Sequence, residues 1–195
     1  MTQPTDAERR PIEEYREYLR LLTSLQIGSR VRSKLDESDI VQQTILEAHR
    51  SENQFQGETE AERLAWLRTI LANVLAGAAR HFSAQTRDAG RERSLEAELN
   101  LSASRLERAL AADQTSPSGH AVRAEEVLAL AKALSQVAED QREVVELHHL
   151  KGMPLADVAA QVGKSRPAVA GLLFRGLRKL RELLGSASEG HDEHR

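Results

Sequence analysis

The stretch Gln141–Leu184, QREVVELHHLKGMPLADVAAQVGKSRPAVAGLLFRGLRKLRELL, decides how the chain is read. Two turn signals, Gly152 with Pro154 and then Gly163-Lys164-Ser165, divide it into three helices. Leu155, Val158, Ala159 and Val162 recur at helical spacing, so the short middle helix has one apolar face. Ser165 is placed to cap the third helix, and Pro167 falls in its first turn, where a missing N–H costs little. A short helix, a turn containing glycine and a capped second helix make a helix-turn-helix signature. In such a motif the second helix lies in the major groove, with its N-terminal residues at the base edges.

Val169, Leu172 or Leu173, and Leu177 are expected to pack inward. Arg166, Pro167, Ala170, Gly171, Phe174, Arg175 and Arg178 are then left for solvent or DNA. From Gly163 to Leu184, Lys164, Arg166, Arg175, Arg178, Lys179 and Arg181 stand against Glu182 alone, on a chain whose formal net charge is −3. A basic patch on a mildly acidic chain is the footprint of phosphate contacts. The plainer alternative is a solvated helix face, which turn, cap and charge together outweigh.

At 195 residues the chain can hold one ordinary domain or two small ones. Aromatic content is 3%, with Trp66 the one tryptophan, which argues against a stacking-rich RNA sheet. Alanine, leucine, glutamate and arginine dominate and β-branched clusters are sparse, so the expected class is all-α. Without cysteine there is no disulfide framework, thiolate nucleophile or cysteine zinc site. The opening MTQPTDAERR has no apolar core and no run approaches the ~18 apolar residues of a membrane span. A cytoplasmic protein without membrane insertion is expected.

Residues 1–11 read as a loose tail. Tyr15, Tyr18, Leu19, Leu22 and Leu25 form a helical stripe, followed by a basic connection over Gln26–Lys34. Asp36 or Ser38 caps a helix to about His49, with Ile40, Val41, Thr44, Ile45 and Ala48 on one face. Ser51–Thr59 reads as a polar loop around Phe55, and Glu60 to Phe82 as a long helix. Leu95–Leu110 could form a marginal helix, and Gln114–His120 has linker composition. Two small helical domains joined by a linker are expected, over 1–83 and 121–184, with 84–120 between them and a disordered tail at 185–195.

Two stretches carry a family resemblance. Asp39-Ile40-Val41-Gln42-Gln43-Thr44, followed by Ala65-Trp66-Leu67-Arg68 and Asn73, resembles the D-[LI]-[VI]-Q-[EQ] and W-L-x-x-I-x-x-N helices of the sigma-70 superfamily of bacterial transcription initiation factors. Arg142-Glu143-Val144-Val145 through Leu180 is similar to that superfamily's C-terminal helix-turn-helix. The pair, in this order, looks most like the short extracytoplasmic-function (ECF) type.

The resemblance implies core RNA polymerase and promoter DNA as partners, with an inhibitory protein of anti-sigma type as a further candidate. It places Asp39, Ile40, Val41, Gln42 and Gln43 on the polymerase. It places Asn53, Phe55, Gln56, Arg68, Asn73 and Arg80 at the −10 element, where unpaired bases are captured during melting. It places Lys164, Ser165, Arg166, Pro167, Ala170, Phe174, Arg175 and Arg178 at the −35 element. Arg63 could also hold a phosphate, whereas Trp66 reads better as core or core edge. Some departures stand out: Ala170, Gly171 and Leu172 where relatives often carry basic or hydroxylic residues, and Gln43 where glutamate is common.

Two other functions compete with this reading. A helix-turn-helix regulator acting without polymerase would need a dimer interface or effector site, for which the N-terminal half shows no pattern. A helical metal-dependent enzyme would need ligands at i, i+3 or i+4, but His148 and His149 are adjacent, and His191 and His194 lie in the polar tail. No nucleophile triad, phosphate loop or carboxylate pair emerges, so no enzymatic activity, metal or cofactor is expected.

Overall fold

The computed structural model describes residues 10–26, 36–83, 97–102, 104–105 and 120–189, and their regular structure is all helical. A 3-10 turn at Ile12–Tyr15 runs into α1, Arg16–Gln26, whose stripe of Tyr18, Leu19, Leu22 and Leu25 is buried as the spacing requires. Helix α2 is Glu37–Ser51, capped by the Asp36 carboxylate, which accepts from the Ser38 N–H at 2.8 Å. A 3-10 turn at Glu52–Gln54 and an irregular stretch lead to α3, Glu60–Ser83.

A reciprocal capping box that the sequence reading overlooked starts α3. Thr59 Oγ1 accepts from the Glu62 N–H at 3.2 Å, and Glu62 Oε2 accepts from the Thr59 N–H at 2.9 Å. The backbone N–H groups of Thr59 and Glu58 hold the Glu62 carboxyl below the usual glutamate range.

Residues 97–102 and 104–105 are helical, the described part of the helix expected around Leu95–Leu110, and Leu99 is wholly buried. The basic connection and the Gln114–His120 linker fall, but for Gln26 and His120, outside the described residues. Four further elements follow among the described residues: α4, His120–Ser135; α5, Glu139–Val145, which widens into a π turn at Glu146–Leu150; α6, Leu155–Val162; and α7, Arg166–Glu189.

Two expectations are corrected. The loose tail through Pro11 does not hold for Arg10, whose guanidinium lies 3.4 Å from Glu60 and 2.7 Å from Glu125. The final helix continues past Leu184 to Glu189, so Gly185–Glu189 are not part of a disordered tail. Once a helix is nucleated each added residue gains a hydrogen bond, and one glycine costing roughly 1 kcal/mol does not end it.

One apolar core runs through both halves. Tyr15, Leu19, Leu22, Leu67 and Leu71 from the N-terminal half share a cluster with Val127, Leu134 and Leu180 from the C-terminal half. Helix α4 makes this possible by packing against α1, α3 and α7. Each fully buried leucine contributes roughly 2 kcal/mol from lost apolar exposure. A buried hydrogen bond also ties the halves: Ser24 Oγ of α1 donates to Glu146 Oε2 at 2.9 Å, with Arg142 Nε 3.6 Å from the other carboxylate oxygen. A buried carboxylate is tolerated only with such partners.

The glycines of α7 are not equivalent. A Cβ on Gly176 would meet Val145 Cγ2 at 3.0 Å and the Gln141 carbonyl oxygen at 3.3 Å, because α5 crosses α7 there. At Gly171 the nearest atom is an Arg175 nitrogen at 3.5 Å. Gly171→Ala should therefore raise stability by about 0.5–1 kcal/mol through helix propensity. Gly176→Ala should gain nothing or lose stability by overpacking. Thermal unfolding of the two variants checks this.

Candidate nucleic-acid interface

The helix-turn-helix rests on its own small apolar cluster of Val144, Leu147, Val158, Ala159, Val169 and Leu172. Gly163 ends α6 at φ 65°, the left-handed conformation that favours glycine, and its N–H bonds to the Ala159 carbonyl. Ser165 then caps α7, its Oγ accepting from the Ala168 N–H at 3.4 Å and its carbonyl from the Val169 N–H at 3.0 Å. Lys164, Ser165, Arg166, Pro167, Ala170, Phe174, Arg175 and Arg178 are all exposed, Phe174 at 66%. Between the two inward candidates, Leu172 is buried and Leu173 half-buried. Leu172 is thus part of the packing rather than of the surface, and Ala170 and Gly171 remain outside it.

The positive end of the α7 dipole coincides with Lys164 and Arg166, which favours a phosphate there. Farther along, Arg178 and Lys179 lie 3.7 and 3.6 Å from Glu182. These exposed pairs are weak enough for phosphate to displace them.

A second exposed surface lies at the start of α3. The Phe55 ring is half-buried, 5.1 Å from the Trp66 ring, with the Arg63 guanidinium 5.6 Å from it. Asn73 is exposed one heptad after Trp66, so the two share a face of α3 about 10 Å apart. Asn53 and Gln56 are exposed on the loop. Trp66 is half-buried and packs on the core, as expected.

Arg68 is engaged inside the protein: Nε donates to Asn100 Oδ1 at 2.8 Å and Nη1 to Tyr18 Oη at 2.9 Å. Arg80 lies on α3, and its side chain is outside the described residues.

On α2, Asp39, Gln42 and Gln43 are exposed, while Ile40 and Val41 are buried at 5% and 3% in the protein's own core. Gln42 Oε1 accepts from Arg16 Nη2 at 3.3 Å, and Gln43 Nε2 donates to Glu47 Oε1 at 2.8 Å. Leu46, which the sequence reading passed over, is 42% exposed three residues beyond Gln43 and extends the stripe. Its i+7 spacing from Asp39 was the available signal.

Residues 128–180 match the family described as "Sigma-70, region 4". Over 155 residues, 80% of this chain and 78% of the relative, the sequence is 31% identical to RNA polymerase sigma factor CarQ of Myxococcus xanthus. The chain belongs to the sigma-70 superfamily, as an ECF-type sigma factor. A solved structure of sigma factor RpoE with anti-sigma factor NepR from Bartonella quintana is similar at 22% identity and TM-score 0.34, covering 89% of this chain and 94% of that one. The sigma factor is therefore a transcription-initiation protein, and sigma factors in general are not enzymes. No group of three metal-ligating side chains and no helix long and apolar enough to cross a membrane occurs among its described residues.

Proposed function

We propose that this sigma factor divides its work between two surfaces, with the duplex read at −35 by α7 and unpaired −10 bases held at the start of α3. Lys164, Ser165, Arg166, Pro167, Ala170, Phe174, Arg175 and Arg178 form the first. Asn53, Phe55, Gln56 and Asn73 form the second, with Arg68 and Arg80 beside them. The functional units follow residues 1–83 and 121–184. The observation that carries this reading is the difference in chemistry: a basic, capped helix end on one side, amides beside an aromatic pair on the other. The first suits phosphates and guanine edges, the second a base already out of the stack.

Docking on core RNA polymerase falls to Asp39, Gln42 and Gln43, joined by Leu46 as an apolar anchor. Ile40 and Val41 shape that helix from inside. The protein works by binding alone, in the cytoplasm. An inhibitory partner of anti-sigma type would meet the cleft between the halves, whose walls mix Glu17, Glu37, Glu139 and Glu143 with Arg16, Arg20 and Arg142.

Alanine at Asp39, Gln42 and Gln43 together should weaken association with core polymerase by about tenfold or more. The fold should stand, because all three are exposed and their bonds are worth only a few tenths of a kcal/mol. Co-purification with core polymerase tests this; undiminished recovery of the variant would contradict the docking surface.

A further inference from the structure

We infer that Arg63 is a positioning residue for the base-capturing loop, fixing the Phe55 ring and the Glu52 carboxylate from within the core. The inference rests on the proposed role of Phe55. Arg63 is a cation at 3% exposure, unusual for a residue in the first turn of a helix beside a polar loop. Its Nη2 donates to Glu52 Oε1 at 2.6 Å, at the start of the loop. Its guanidinium carbon lies 5.6 Å from the centre of the Phe55 ring and 5.7 Å from that of Tyr15. Trp66 supports Phe55 at 5.1 Å, and Gly57 leaves the space the ring occupies, since a Cβ there would come within 2.7 Å of Phe55 Cε2. The loop is thus held at Glu52 by an ion pair and at Phe55 by a cation–π contact, both from one side chain. His49 lies beside the same carboxylate, with Nδ1 3.7 Å from Glu52 and Nε2 2.7 Å from Glu13.

What separates positioning from plain stabilisation is the unused bonding capacity. Among the described residues, Arg63 Nε and Nη1 are buried with no hydrogen-bond partner. Idle buried donors on a charged group destabilise a core, and an apolar side chain of similar length would serve packing better.

The test uses holoenzyme assembled from core polymerase and each variant, on a forked template of a promoter it transcribes, with the downstream strand unpaired. Arg63→Met should keep or raise the thermal midpoint, leave upstream duplex binding unchanged and weaken capture of the unpaired strand about tenfold. Glu52→Gln, which removes one tether of a partly exposed residue, should weaken capture less. Adding Arg63→Met to Phe55→Ala should produce no more than the smaller loss seen with Glu52→Gln, because the ring contact is already gone and only the Glu52 tether is left to lose. If Phe55→Ala alone leaves capture unchanged, the base-capture reading itself fails. If Phe55→Ala weakens capture while Arg63→Met binds like the wild type, only the Arg63 inference is overturned. A lower midpoint for Arg63→Met, with duplex binding and capture reduced in equal proportion, would show a structural core residue and overturn it as well.

Discussion

Replacing Phe55 and Asn73 together by alanine is expected to cut promoter opening about a hundredfold while leaving upstream duplex binding within about twofold. Removing a base–aromatic stack costs roughly 1–3 kcal/mol, and removing an amide hydrogen bond roughly 0.5–1.5 kcal/mol. Neither residue belongs to the cluster that supports the helix-turn-helix, so duplex reading is expected to survive the lesion. A template already melted over the downstream element should restore little, because capture rather than unpairing is what fails. Permanganate reactivity of unpaired thymines reports opening, and filter binding reports docking. Equal reductions in both assays would contradict the division of labour.

The second large effect concerns charge. Neutralising Arg166, Arg175 and Arg178 should lower the salt dependence of duplex binding by nearly one unit of log–log slope for each phosphate left without its cation, about three in all. Arg166→Ala alone should cost roughly 1–3 kcal/mol and relax upstream preference if its fork meets a guanine edge. All three arginines are exposed, and the Arg178 partner Glu182 is 3.7 Å away, so folding should not change. Titrations across salt concentration read the slope directly. An unchanged slope would place the duplex surface elsewhere.

These predictions were within reach of the sequence to different degrees. The helix-turn-helix was legible because local chemistry settles it: a left-handed Gly163, a capping Ser165 and an early Pro167 permit few alternatives. The α2 face was legible for the same reason, with Asp36 as cap and Ile40, Val41, Thr44, Ile45 and Ala48 buried. Thr59-x-x-Glu62 is equally local, with the spacing of a capping box. Other features depend on tertiary packing that periodicity does not encode. Arg63 sits where a solvated residue is expected, and only the packing of Tyr15 and Phe55 around it makes it a buried cation. Helix α4 reads as the start of the C-terminal unit, yet its packing on α1 and α3 fuses the two cores. The π turn at Glu146–Leu150 is hidden too, since its apolar spacing continues the helical pattern of α5.

Run-off transcription with purified core polymerase, with and without this sigma factor, tests the central claim most directly. The prediction is a set of transcripts from discrete start sites that appear only when the chain is added and vanish when Asp39, Gln42 and Gln43 are replaced by alanine. Duplex binding by the chain alone, with no start site that depends on it, would contradict that claim and leave a DNA-binding regulator acting without polymerase.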